Sequence, residues 1–213
     1  MNIAKDVAQR LLQIKAIKLS PQNPFTWASG LKSPIYCDNR IVLSYPEHRA
    51  AVIKAFAEQS VSYPSFDLIA GVATAGIAHG VLLAEKLNAP FIYVRSKAKA
   101  HGRQNQIEGE LKEGAKVLVI EDLISTGGSS IAAVEALRQA GAEVIATMAI
   151  FTYELDKAQQ TFDKANCPFS TLSNYTSLLE VAQEMKYISE KEVNLLKRWR
   201  QNPQEWSEVF SKP

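Results

Sequence analysis

The chain has 213 residues, with 24 Lys plus Arg against 22 Asp plus Glu and a net charge of +2. That length fits a single domain, residues 1–213, with a core large enough to need neither disulfides nor a metal. Only 10 Gly and 9 Pro, without period, exclude a collagen-like or disordered chain, and the near-neutral balance excludes the basic excess of a general nucleic-acid binder.

The first residues, MNIAKDVAQRLLQIKAIKL, are not a secretory signal, because Lys5, Asp6 and Arg10 interrupt any apolar stretch. Ile3, Val7, Leu11 and Ile14 recur at helical spacing and predict an amphipathic helix. Residues 20–40, SPQNPFTWASGLKSPIYCDNR, read as an irregular segment in which Pro21, Pro24, Gly30 and Pro34 forbid a continuous helix. Residues 45–59 read as a helix with Val52, Ile53 and Phe56 on one face. FDLIAGV, from Phe66, is a buried strand. Residues 76–87 form a helix, and PFIYVR, ending at Arg95, is a second strand. Residues 96–114, SKAKAHGRQNQIEGELKEG, fit neither period and read as a long polar loop, of the kind that serves as a lid. KVLVIE, residues 116–121, is a third strand, apolar through its middle as a doubly covered strand is. Residues 128–140 form a helix with Ile131, Val134 and Leu137 inward. Gly141 stops it, and Arg138 sits in its last turn. EVIATMAIF, ending at Phe151, is a fourth strand, and the remainder reads as mostly helical with a polar tail.

Strands alternating with helices predict an α/β fold with a mostly parallel central sheet flanked by helices. Cys37 and Cys167 lie far apart, outside any CxxC or Cys/His cluster, and read as reduced thiols. No apolar run approaches the ~18 residues of a membrane span. The expected location is the cytoplasm, with neither membrane nor nucleic acid as a partner. His48 and His79 read as structural, the latter inside a helix among apolar neighbours.

The chemistry concentrates in VLVIEDLISTGGSS, residues 117–130. A buried strand ends in two carboxylates, Glu121 and Asp122, and Ser125-Thr126-Gly127-Gly128-Ser129 opens a helix. Ligands of a parallel sheet bind outside the carboxyl ends of its strands. Successive amides at a helix N-terminus converge on an anion. Gly127 and Gly128 let the backbone approach it, and Thr126 and Ser129 add hydroxyl donors. The acids upstream would repel a phosphate, whereas vicinal sugar hydroxyls donate to carboxylates. A ribose 5-phosphate site satisfies both halves. A P-loop does not fit, because Gly109 and Gly114 are followed by Ala115-Lys116 and precede a strand. The dinucleotide fingerprint G-x-G-x-x-G is absent. An ordinary helix cap after a solvated strand end explains Ser-Thr-Gly-Gly alone, but not the whole string.

This string resembles the phosphoribosyl-diphosphate (PRPP) motif of type I phosphoribosyltransferases. FTWASGLKSPIYCDNR (25–40), LIAGVATAGIAHG (68–80), YVRSKAKAHG (93–102) and NQIEG (105–109) resemble the orotate phosphoribosyltransferases among them, so the resemblance covers nearly the whole chain. It implies the type I fold, with a small N-terminal hood drawn from residues 1–45 and a flexible catalytic loop at residues 96–114. It also implies transfer of ribose 5-phosphate from PRPP to orotate, giving orotidine 5′-monophosphate and diphosphate for pyrimidine biosynthesis. Mg2+ would arrive with the PRPP, with no direct protein ligand. The resemblance further implies a homodimer whose loops reach the neighbouring site. By the same carry-over, Arg95, Lys99 and His101 contact the diphosphate. Glu121 and Asp122 hold the ribose hydroxyls and, with Lys99 and His101, are the catalytic set. Leu123, Ile124, Ser125, Thr126, Gly127, Gly128 and Ser129 bind the 5′-phosphate, and Gly71-Val72-Ala73 is a short diphosphate loop. Ser125, Lys32 and Tyr36 are the orotate contacts. The chain departs from some relatives at Ala28, where they have lysine, at Thr74-Ala75, where they have Tyr-Lys, and near Tyr153, where they have arginine. The competing expectations are a purine phosphoribosyltransferase and a regulator that binds PRPP without turning it over.

Overall fold

The computed structural model describes residues 2–27, 29–96 and 106–210. Helix α1 (Ile3–Gln13) starts at an Asn2 cap and buries Val7, Ala8, Leu11 and Leu12, while Ile3 at its tip is exposed. Among its described residues the Pro-rich segment forms no continuous helix, as its composition predicts. It forms two small antiparallel ladders, β1 (Ile17–Leu19) with β4 (Ile35–Cys37) and β2 (Phe25–Thr26) with β3 (Lys32–Ser33). A 3-10 turn (Asn39–Ser44) leads into α2 (Pro46–Ser60), whose proline sits at the first helical position.

The body alternates β5 (Leu68–Val72), α3 (Ala75–Leu87), β6 (Phe91–Val94), β7 (Ile107–Glu108), β8 (Lys116–Ile124), α4 (Gly128–Gln139), β9 (Glu143–Thr152), α5 (Asp156–Lys164) and β10 (Phe169–Asn174). Helices α6 (Tyr175–Glu184), α7 (Glu190–Gln201) and α8 (Pro203–Val209) follow. The six-stranded sheet runs β10-β9-β8-β5-β6-β7, parallel except for β7 against β6. Side chains of β8 alternate between two cores. Leu118 and Ile120 face α1, α2, α3 and the C-terminal helices, while Val117 and Val119 face α4 and α5. Burial on both faces is why the run is apolar.

Three sequence expectations need correcting. Strand β8 does not stop at Glu121 but pairs with β9 through Ile124, so both acids belong to the strand. Residues 107–108, assigned above to the loop, form edge strand β7, because Ile107 has a buried seat beside β6. Strand β10 went unseen because FSTLSN is polar; it is an edge strand with only Leu172 and Ser173 fully buried. The rest of the chain after β9 is mostly helical, as expected, with Trp199 and Trp206 buried in the larger core. Arg138 sits in the last turn of α4, as expected, and its guanidinium donates to the Ala165 and Asn166 carbonyls beyond α5 (2.6 and 3.0 Å).

His79 is fully buried in α3, and neither ring nitrogen has a hydrogen-bond partner of good geometry among the described residues. Burial lowers its pKa to about 4, partly opposed by the Asn39 carbonyl. A histidine held neutral stabilises the fold above its unfolded value near 6.5 and stops doing so as pH falls toward 4, because the unfolded chain takes up the proton first. His79→Leu is therefore expected to lose roughly 2–3 kcal/mol less stability than the wild type between pH 6.5 and 4.5, read by urea unfolding at both values.

Candidate active site

Strand β8 outruns its neighbour on one side. The β5–β8 ladder ends at Gly71 opposite Ile120, while β8 remains paired with β9 up to Ile124 opposite Thr152. Glu121 and Asp122 therefore stand at the carboxyl edge beyond β5. The α3 N-terminus closes on the same place, since a Cβ on Gly76 would lie 2.5 Å from the Ile120 carbonyl oxygen. The Ala73–Thr74 peptide just before α3 is cis.

Glu121 is buried at 5% exposure. One of its oxygens accepts from the Asp122 amide (3.0 Å), the other from the Ser130 hydroxyl (3.3 Å). Burial first, then the charge of Asp122, pushes its pKa well above the ordinary carboxylate value. Asp122 is half-buried on the hood side. Burial raises its pKa as well, opposed by hydrogen bonds from Glu121 and from the local backbone and by the positive charge of Arg40. Two close carboxylates in a poorly solvated place favour hydroxyl donors between them, and one proton shared by the pair relieves their repulsion.

After Ile124 the chain turns through Ser125 and Thr126 to Gly127, at φ +82°. A Cβ there would meet the Phe162 ring at 2.9 Å, so space and backbone both demand glycine. Helix α4 starts without a side-chain cap, leaving the amides of its first turn for an external acceptor. Gly128 and Ser129 are exposed, and a Cβ on Gly128 would meet nothing within 4 Å. This is an uncapped helix end with open space in front of it, as an anion cradle requires.

The hood stands over this edge. Trp27 on the β2–β3 hairpin stacks on buried Tyr153 (5.2 Å between ring centres), and both meet the Trp199 ring edge-on at 5.7 Å. The Trp27 indole donates to the Ile35 carbonyl (3.0 Å), and the Lys32 amide donates to Ser207 of α8 (2.9 Å). Tyr36 is exposed and tilts against Phe25 at 5.7 Å, giving the hood an aromatic face. The Lys32 ammonium donates to Thr26 (2.8 Å) on the same hairpin.

The structure thus brings Glu121, Asp122 and residues 123–129 together at one edge. Arg95 follows β6 at that edge, paired with Glu108 at 3.6 Å. Lys32 and Tyr36 lie on the hood. Lys99 and His101 lie outside the described residues, as does Ala28. Sequence reasoning missed Ser130 and Asn39. The Ser130 hydroxyl, at the last residue of the motif and in the first turn of α4, points back to Glu121. Asn39, fully buried, donates from its side-chain amide to the Asp122 carbonyl (2.7 Å). Nothing in the local pattern of CDNR distinguishes Asn39 from a turn residue.

Among the described residues no group of three or more acidic, His or Cys side chains is placed to hold a metal. Glu121 has both oxygens engaged, so the edge offers Asp122 and no closed cage. That donor set fits a magnesium ion that keeps its waters and comes with a substrate's phosphates.

Residues 44–186 match the model of the phosphoribosyl transferase domain. The chain is 53% identical to the orotate phosphoribosyltransferase of Listeria innocua over 97% of this chain and 99% of that one. It is 54% identical to that of Staphylococcus haemolyticus over 94% and 100%. The Leishmania donovani UMP synthase structure superposes with a TM-score of 0.80 at 30% identity, covering 92% of this chain and 42% of that larger one. The orotate phosphoribosyltransferase of Aeropyrum pernix superposes at 0.74 and 23% identity, covering 86% and 99%. The chain belongs to the phosphoribosyltransferase family. Within it, the full-length relatives at half identity are orotate phosphoribosyltransferases.

Two variants test this geometry. A raised carboxyl pKa means that stability is complete below the ordinary carboxylate value and is lost as pH rises through the folded one. Glu121→Gln, which keeps an acceptor for the Asp122 amide, is expected to raise Tm at pH 8 by about 2–4 °C, with a smaller gain at pH 5, in thermal melts at both pH values. Gly128→Val should leave Tm within about 2 °C of the wild type, since its side chain meets open space, yet raise the KM for a phosphorylated ribose substrate about tenfold by occupying the cradle.

Proposed function

We propose that this chain is an orotate phosphoribosyltransferase, joining orotate to the ribose 5-phosphate of PRPP and releasing diphosphate, in pyrimidine nucleotide synthesis. The observation that carries the reading is the uncapped α4 N-terminus six residues beyond the Glu121-Asp122 carboxylate pair, in a chain half identical to orotate phosphoribosyltransferases along its length. In this reading the amides and hydroxyls of residues 125–129 hold the 5′-phosphate, with Leu123 and Ile124 setting the turn. Asp122 and Glu121 accept from the ribose hydroxyls.

As the bond at C1 loosens, positive charge grows on the ribose ring and negative charge on the leaving diphosphate. Asp122 lies where the first develops. Arg95 can fork two diphosphate oxygens once it leaves Glu108, with Lys99 a point charge beside it and His101 a donor to the leaving group. Such groups act by electrostatic placement. A bound Mg2+ supplies further neutralisation of the diphosphate. Orotate is a flat anion. The aromatic face of Tyr36 and Phe25, the Lys32 ammonium and the Ser125 hydroxyl give it a stacking surface and donors. The reading carries with it a cytoplasmic homodimer in which the segment around Lys99 closes on the partner's site and excludes water. No helix of the described residues is long and apolar enough to cross a membrane.

The test is the loss of orotate absorbance in the presence of PRPP and magnesium. Orotate should be consumed, and adenine, guanine and hypoxanthine left untouched. Consumption of a purine instead of orotate overturns the reading. Lys99→Ala is expected to lower kcat by about 10²–10³-fold; full activity in that variant removes the loop from the mechanism.

A further inference from the structure

Strand residues turn their carbonyls alternately to the two sides. The Lys116 carbonyl faces β5, where it accepts from the Asp67 amide (2.8 Å). The Asp122 carbonyl lies six residues further along, past the end of the β5 ladder. The last β5 partner lies opposite Ile120, so no strand is there to receive it. The Asn39 side chain fills the gap, donating across 2.7 Å from a fully buried position. Its orientation is fixed from both ends. A main-chain carbonyl can only accept, so the amide nitrogen must face Asp122, and the Cys37 thiol donates to the amide oxygen at 3.4 Å.

Asn39 is itself firmly seated. Asp38 caps the 3-10 turn by accepting from the Arg40 amide (3.2 Å), and its carboxylate takes the Arg40 guanidinium at 2.6 and 2.8 Å. The same short stretch carries Tyr36 three residues earlier. One hydrogen bond thus joins the element that presents the hood's aromatic face to the peptide that carries the Asp122 carboxylate. The β8 carbonyl that Asn39 receives is that of the acid facing the cleft.

We propose that Asn39 is a positioning residue for Asp122, holding the sugar-binding carboxylate at a fixed distance from the base-covering hood; this rests on the orotate phosphoribosyltransferase reading above. Its loss lets the overhanging end of β8 tilt, and the carboxylate no longer meets the ribose hydroxyls squarely. The phosphate cradle at α4 keeps its own backbone geometry.

Asn39→Ala and Asn39→Ser both remove the bond, since a serine hydroxyl is too short to span it. Folding is checked by circular dichroism, and the KM for PRPP and inhibition by inorganic phosphate are measured well below Tm. The expected result is a KM for PRPP raised about tenfold, with inhibition by phosphate within about twofold of the wild type. A folded variant with unchanged KM overturns the proposal. So does a proportional change in both quantities, which marks general loosening, or failure of both variants to fold, which makes Asn39 a structural post. A wild-type protein that does not turn over orotate and PRPP defeats the functional reading itself, and this inference with it. A wild-type protein that is active beside an equally active variant defeats the inference alone.

Discussion

The overhang of β8 past β5 is the constraint on which the site depends. A parallel strand that stayed paired on both sides would spend its backbone groups on the ladder and keep its side chains in the two cores. By running four residues beyond Ile120 still paired with β9, β8 carries two acids to the sheet edge on a backbone still stiff enough to aim them. The same overhang delivers the chain to Gly127 at the angle that starts α4. The cradle and the acids are consecutive parts of one rigid path, and their spacing does not depend on how a loop settles.

Burial of the acids has an energetic cost that the fold meets locally. Glu121 keeps its seat because the Asp122 amide and the Ser130 hydroxyl donate to its oxygens, yet low solvation still pushes its pKa up. A carboxyl poised to hold or share a proton is poorly stabilising for a protein and useful to a site that must match hydroxyl groups.

The strands and helices of the body were legible because each is written in a single period. β5, β8 and β9 are apolar runs covered on both faces, and α4 repeats its inward residues at Ile131, Val134 and Leu137. The turn that opens α4 was legible too, since its glycine and hydroxyl residues follow directly on a buried strand. What escaped was decided by tertiary contact. The polar β10 is a strand because β9 offers it a ladder, not because FSTLSN prefers one. The true end of β8 was hidden because paired acids resemble a solvated boundary until their partners across the fold are seen. Ser130 and Asn39 escaped for the same reason: each acts through a residue distant in sequence. The hood's two ladders are too short for any periodic signal, and the indole and tyrosine rings that anchor it come together only in three dimensions.

The Lys32 amide and the Ser207 hydroxyl are separated by 175 positions, yet they meet in one hydrogen bond beneath the hairpin. During synthesis the hairpin leaves the ribosome early and its prop in α8 almost last. Until then Trp27 has Tyr153 but neither the Trp199 edge nor the Ser207 buttress. The roof of the cleft is thus a late event in assembly, completed only when the sheet is already in place. The nascent chain can form the turn after β8 well before the hairpin above it is braced.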